Sequence, residues 1–141
     1  MQKGIRACGK YATTWTLFSV AIRLGTALGL GQEDPELYSP FELECRRRLW
    51  HGIAVLDSQC TLDRGSAPLL LQASLGPPPM NINDSDLKKD ADRLVDAEGY
   101  TDMTAPLLSI YAVLCQRQVF EAADGPDQWK RKLEAVEEYT Q

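Results

Sequence analysis

The sequence predicts an all-α protein: a compact bundle of about four or five main helices with a long proline-containing connection. Three observations predict it. A complete helix-start signal opens the run SPFELECRRRLW at residues 39–50. Apolar residues recur at three- and four-residue spacing in several other stretches. No segment alternates with period two for long enough to make a convincing strand, and there is no internal repeat.

The helix start is the strongest local signal. Ser39 is a good N-cap, because its hydroxyl can accept a bond from an orphan backbone N–H. Pro40 then falls at the first helical position, where its missing donor costs nothing. Glu42, three residues after the cap, completes a capping box, and its charge suits the positive end of the helix dipole. Phe41, Cys45, Leu49, Ile53, Leu56 and Cys60 follow at helical spacing and predict one apolar face. The helix is expected to run out near Asp63 and Arg64, with Gly65 taking the left-handed C-terminal position.

The remaining elements are justified in the same way. Residues 5–30 read as a first helix, with Trp15, Phe18, Ile22 and Gly25 on one stripe and Leu17, Val20, Leu24 and Leu28 on another. A helix apolar on most sides is expected to be buried on most sides. Gly25 and Gly29 would let a second helix approach closely, and Gly29, Leu30 and Gly31 close the element. Residues 68–75 fit a short helix or an extended strip. Gly76 and the three prolines after it stop any helix. Residues 81–87 are turn-rich, with Asp84 or Ser85 able to cap a short helix starting near Asp86. Residues 88–100 read as a solvated loop or weak helix. Thr104 is the expected cap of a helix carrying Leu107, Leu108, Tyr111, Val113, Leu114, Cys115 and Val119, ended by Gly125 and Pro126. A last amphipathic helix begins at Asp127, with Trp129, Leu133 and Val136 on one side.

Composition bounds the function. The chain has 141 residues, enough for a single helical domain over residues 1–141 with one real core. A formal net charge of −5 disfavours general binding to a nucleic acid backbone. No stretch of about 18 apolar residues is present, so no membrane span is expected, nor is a signal peptide. Cys8, Cys45, Cys60 and Cys115 include no Cys-x-x-Cys pair, and there is one histidine, so no metal site and no cofactor are predicted. The cysteines read as reduced core residues of an intracellular protein.

Candidate chemistry is sparse. Arg46, Arg47 and Arg48 could bind an anion, or flank the apolar face and pair with Glu42, Glu44 or loop carboxylates. His51 as a general base would need a partner carboxylate, and Asp57, six residues on, is not on the same helical face. Trp15, Trp50 and Tyr111 could line an apolar pocket between helices, or simply pack the core. Asn81, Asn83, Asp84 and Asp86 look like part of a calcium loop, but the downstream glycine and bidentate glutamate are missing, and turn chemistry explains them better. No phosphate loop, dinucleotide fingerprint or nucleophile elbow is found.

Four blocks resemble, together and in order, the middle regulatory domain of fungal binuclear zinc-cluster transcription factors. They are residues 15–30, with Ala21, Ile22, Arg23, Leu24 and then Ala27, Leu28, Gly29, Leu30; the SPFELECRRRLW run followed by Leu56 and Asp57; Asp63, Arg64 and Gly65 followed by PMNINDSDL at 79–87; and GYTDMT at 99–104. The resemblance implies an all-helical architecture, a nuclear or cytoplasmic setting and an effector-responsive regulatory role. The family's six-cysteine zinc cluster, which reads DNA, is not in this sequence, so DNA reading is not carried over. The resemblance therefore implies a truncated module of secondary metabolism that senses a small-molecule metabolite or a partner, without binding DNA directly.

Two other readings stay open. A cofactor-independent cyclase or isomerase could be built on the truncated fold, enclosing a reactive substrate among aromatic side chains, with His51 and Asp57 as its first acid–base candidates. A dimerisation module would carry an apolar patch on the exposed side of the first helix, and its partner would be a second copy or a larger regulator.

Overall fold

The computed structural model describes residues 2–121 and 127–138. Within them the chain forms α1 (Gln2–Ala27), α2 (Pro40–Arg64), α3 (Thr104–Glu121) and α4 (Gln128–Glu138), with short 3₁₀ turns at Gln72–Ser74 and Asp84–Asp86. No strand occurs among the described residues, and no helix is long and apolar enough to cross a membrane. The side chain of Cys8 and the stop signal at Gly125 and Pro126 lie outside the described residues.

The α2 helix is central. It packs against both α1 and α3, and α3 also packs against α4. Its start is built as the sequence dictates. The Ser39 N–H donates to the Glu42 carboxylate at 2.9 Å, and the Glu42 N–H donates back to the Ser39 hydroxyl at 3.3 Å. These bonds hold the Glu42 pKa below the usual carboxylate range. At its end Gly65 has φ +65° and the Ser66 N–H reaches the Thr61 carbonyl at 3.1 Å, which closes the last turn. The end of α1 is closed alike, with Gly29 at φ +62° and the Leu30 N–H on the Gly25 carbonyl at 3.0 Å.

Trp50 is the pin of the core. Its ring lies against Gly25, where even a β-carbon would come within 2.9 Å of the ring, so α1 and α2 approach closely there. Its indole N–H donates to the Ser74 carbonyl at 2.9 Å, which ties in the 3₁₀ turn after α2. Gly31 lies under the same junction, where a side chain would run into the Trp50 nitrogen. Around this pin pack Ile22, Leu30, Ala54, Leu70, Leu75, Met103, Leu107, Ile110 and Leu114.

Several expectations are corrected. From Trp15 onward α1 is not buried on most sides: Ile22 and Gly25 face inward, while Leu17, Val20, Leu24 and, just after the helix, Leu28 are exposed, because α2 is the one helix packed closely on it among the described residues. The face that α2 buries is not its apolar one. Leu49 and Leu56 point outward, while Glu44, His51, Asp57, Ser58 and Thr61 are buried beside Leu43, Trp50 and Ala54. Polar groups can occupy that face because the loops and α3 supply hydrogen-bond partners. Cys45, Cys60 and Cys115 form no disulfide among the described residues and are half-buried at the edge of the core. The short helix expected near Asp86 is a 3₁₀ turn preceded by Asn83, whose side chain makes no capping bond. Residues 88–100 form no helix, and Thr104 is the first residue of α3 itself.

Candidate functional site

The polar residues of this chain converge on two places, both built on α2. The first anchors the proline-containing connection. Glu44, fully buried one turn into α2, accepts from the Met80 N–H with both carboxylate oxygens, at 3.2 and 3.1 Å. Arg48, one turn further on, donates from Nε to Glu44 at 2.8 Å, from Nη1 to Asp84 at 2.6 Å and from Nη2 to the Ile82 carbonyl at 3.3 Å. A buried carboxylate and a guanidinium thus clamp residues 80–84 onto the helix.

Asn81 and Asn83 extend that clamp. The Asn81 amide donates to the Ala97 and Gly99 carbonyls at 2.9 and 3.0 Å, while its oxygen accepts from the Thr101 hydroxyl at 2.6 Å. The Asn81 backbone N–H donates to Asp96 at 2.7 Å. The Asn83 oxygen accepts from the Asp102 N–H at 3.2 Å, and the Asp102 carboxylate accepts from the Asp84 N–H at 3.1 Å. The Asn/Asp run and the TDMT run are therefore two halves of one knot that delivers the chain to the start of α3. No group of three or more His, Cys, Asp or Glu side chains that could hold a metal is found among the described residues.

The second place is a buried polar layer between α2 and α3. Asp57 accepts from the N–H groups of Leu69 and Leu70, at 3.0 and 3.1 Å, and from Nη2 of Arg117 at 3.0 Å. The same Nη2 donates to the Ala54 carbonyl at 3.1 Å. Arg117 is 1% exposed, and its Nε and Nη1 have no partner among the described residues. His51, seven residues before Ser58 and so in line with it on α2, is buried as well. Its Nδ1 is 3.0 Å from the Arg47 carbonyl, which can only accept, so Nδ1 carries the proton and the buried Nε2 is left as an acceptor without a partner among the described residues. Burial chiefly, with the charges of Arg47 and Arg117, lowers the His51 pKa against the opposing bond to Arg47, and the ring stays neutral at pH 7.

The other candidates find separate places. Arg46 donates from Nη2 to the Leu28 and Gly29 carbonyls at 2.9 and 2.7 Å and stacks on Tyr38, so it caps the negative end of α1. Arg47 donates from Nε to Glu33 at 2.8 Å. With Arg48 on Glu44 and Asp84, each of the three guanidinium groups binds an oxygen of this chain. Trp50 is core, whereas Trp15 is half-buried on α1 and Tyr111 is exposed on α3. His51 and Asp57 are both buried in the α2–α3 layer, but each is bonded to a different partner.

Sequence reasoning missed Glu44 as an anchor and did not single out Arg117. A signal existed for both. Glu44, His51 and Ser58 recur every seven residues on α2, and Arg117 continues the buried Leu107, Ile110, Leu114 stripe of α3. A charged residue in register with a core stripe marks a buried pair.

Comparison with known proteins places these features in a family. The profile described as "Fungal specific transcription factor domain" matches residues 4–97, which take in α1 from residue 4, all of α2 and the Asn81 knot up to Ala97. The chain is 34% identical over 115 residues to the C6 finger domain transcription factor hasF of Aspergillus fumigatus, covering 75% of this chain and 15% of that protein. It is 37% identical over 102 residues to adaR of Aspergillus niger, covering 70% and 13%, and 40% identical over 101 residues to nscR of Arthroderma gypseum, covering 69% and 14%. Both are likewise described as C6 finger domain transcription factors. The chain thus spans about one-seventh of the length of these curated relatives. No solved structure matches it. The chain belongs to the fungal specific transcription factor domain family.

Proposed function

We propose that this chain is a regulatory module that answers to a small molecule or to a partner polypeptide and passes that state to transcription of metabolic genes in the nucleus, without contacting DNA itself. One observation carries the reading. The polar residues that stand out in the sequence are bonded within the chain, while the apolar residues Leu17, Val20 and Leu24 on α1 and Leu28 just after it are exposed. The first property makes a scaffold, and the second offers a surface to another polypeptide, a second copy or a larger regulator. The net charge of −5 and the internal bonding of Arg46, Arg47 and Arg48 argue against binding a DNA backbone.

The test is to tether the chain to a heterologous DNA-binding domain above a reporter gene in a fungal host. The expected outcome is a change in reporter output of about threefold or more that Leu17→Lys with Leu24→Lys abolishes. Purified alone, the chain is expected not to retard duplex DNA. Reporter output equal to the untethered control, or retardation of DNA, would overturn the reading. His51 and Asp57 share no bond, so no acid–base array favours an enzyme.

A further inference from the structure

A small cleft lies between the segment that follows α2 and the second half of α3. It has a volume of about 150 Å³ and is lined by Ala67, Pro68, Leu70, Leu71, Arg117 and Phe120. Five of these residues are apolar, and the sixth is the guanidinium already paired with Asp57. Arg117 has five N–H bonds. Nη2 serves Asp57 and the Ala54 carbonyl, while the Nε and Nη1 donors have no acceptor among the described residues although they are sealed from water. Buried donors are nearly always satisfied, so such a group beside a cleft needs an explanation.

We infer that this cleft is a binding site for a ring-sized, uncharged apolar compound carrying one carbonyl oxygen, such as an aryl ketone, whose oxygen accepts from Arg117. The volume is that of a cavity which accepts a benzene ring. The lining gives the ring an apolar wall. The charge decides between acceptors. Asp57 already neutralises Arg117, so a carboxylate would leave a net buried negative charge, which is costly, whereas a ketone satisfies the donors and adds none. The oxygen reaches the donors when the exposed rim side chains Leu71 and Phe120 swing aside. The site rests on the regulatory reading only for its purpose, since Arg117 joins α3 to the centre of α2 and an occupant here would bear on that junction.

The experiment follows the Arg117 side-chain Nε–H resonance by ¹H–¹⁵N NMR in the whole chain during titration with acetophenone, toluene or benzoate. Acetophenone is expected to move the resonance saturably, with a dissociation constant on the order of 1 mM. Toluene, which lacks the acceptor, is expected to bind at least about tenfold more weakly. Ala67→Phe, at an exposed rim position, fills the cleft and leaves the Asp57–Arg117 pair alone, and it should abolish the shift. Absence of a saturable shift, toluene binding equally well, benzoate binding as tightly as acetophenone, or an unchanged titration in Ala67→Phe would each overturn the proposal. The tethered reporter assay is independent of these outcomes, so failure of the site and failure of the regulatory reading are told apart.

Discussion

Nη2 of Arg117 lies 3.0 Å from Oδ2 of Asp57, joining α3 to α2 across sixty residues of sequence, with both side chains 1% exposed. The pair also fixes the segment between them, since Asp57 accepts from the Leu69 and Leu70 amides. Breaking such a pair from one side leaves an uncompensated charge in the interior. Asp57→Ala is expected to cost about 3–5 kcal/mol, a large share of a typical domain's stability. Replacing both partners, as in Asp57→Leu with Arg117→Leu, should cost clearly less than the sum of the single changes. Urea unfolding of the four proteins completes the cycle, and additive losses would show that the two residues act separately.

The neutral His51 makes stability depend on pH. Its folded pKa is lowered, so as pH falls the unfolded chain takes up a proton before the native one does. Stability from this group is fully present above the unfolded value of 6.5 and declines below it until the folded pKa is reached. The expected slope is at most about 1.4 kcal/mol per pH unit. His51→Gln should flatten this part of the curve. Melts of both proteins from pH 7.5 to 5 measure it, and parallel curves would mean that His51 is not the group responsible.

Asn81 holds the ends of the proline-containing connection together. Its side chain bonds the carbonyls of Ala97 and Gly99 and the hydroxyl of Thr101. Asn81→Ala removes three neutral bonds and should cost about 2–3 kcal/mol. Hydrogen exchange gives the local readout. The Ala97 N–H, bonded to the Asn81 carbonyl at 2.8 Å, should lose protection far more than amides in the middle of α2.

Gly25→Ala separates packing from propensity. Alanine is better than glycine in a helix interior by up to about 1 kcal/mol. Here the new β-carbon would press into the Trp50 ring, and overpacking of that kind costs about 1–3 kcal/mol. Net destabilisation is therefore expected, relieved when Trp50→Phe is added. A more stable Gly25→Ala protein would show that α1 can shift freely over α2.

The parts of the fold legible in the sequence are those whose causes lie within a few residues. Ser39 and Glu42 satisfy each other three positions apart, and Gly65 closes its helix by its own backbone freedom, so both could be read directly. The close approach at Gly25 was also foreseeable, though not that Trp50 would make it. The buried face of α2 was harder to read, because the seven-residue register of Glu44, His51 and Ser58 is faint and the groups that bond Glu44 and Asp57, from Met80, Arg117 and Leu70, arrive from elsewhere in the chain. The candidate site shares that fate. Its arginine is one letter in an apolar helix, and its walls come from a segment some fifty residues earlier.

The setting of Trp50 has an optical consequence. Its indole is enclosed by Gly25, Gly31 and the Ser74 carbonyl, whereas Trp129 on α4 stands 72% exposed. A dissolved quencher such as iodide will reach the second ring and not the first. The emission that survives quenching then belongs mainly to rings shielded by the fold, Trp50 foremost. Its shift to longer wavelength on heating marks the moment when α1, α2 and the turn at Ser74 part company, without any label added to the chain.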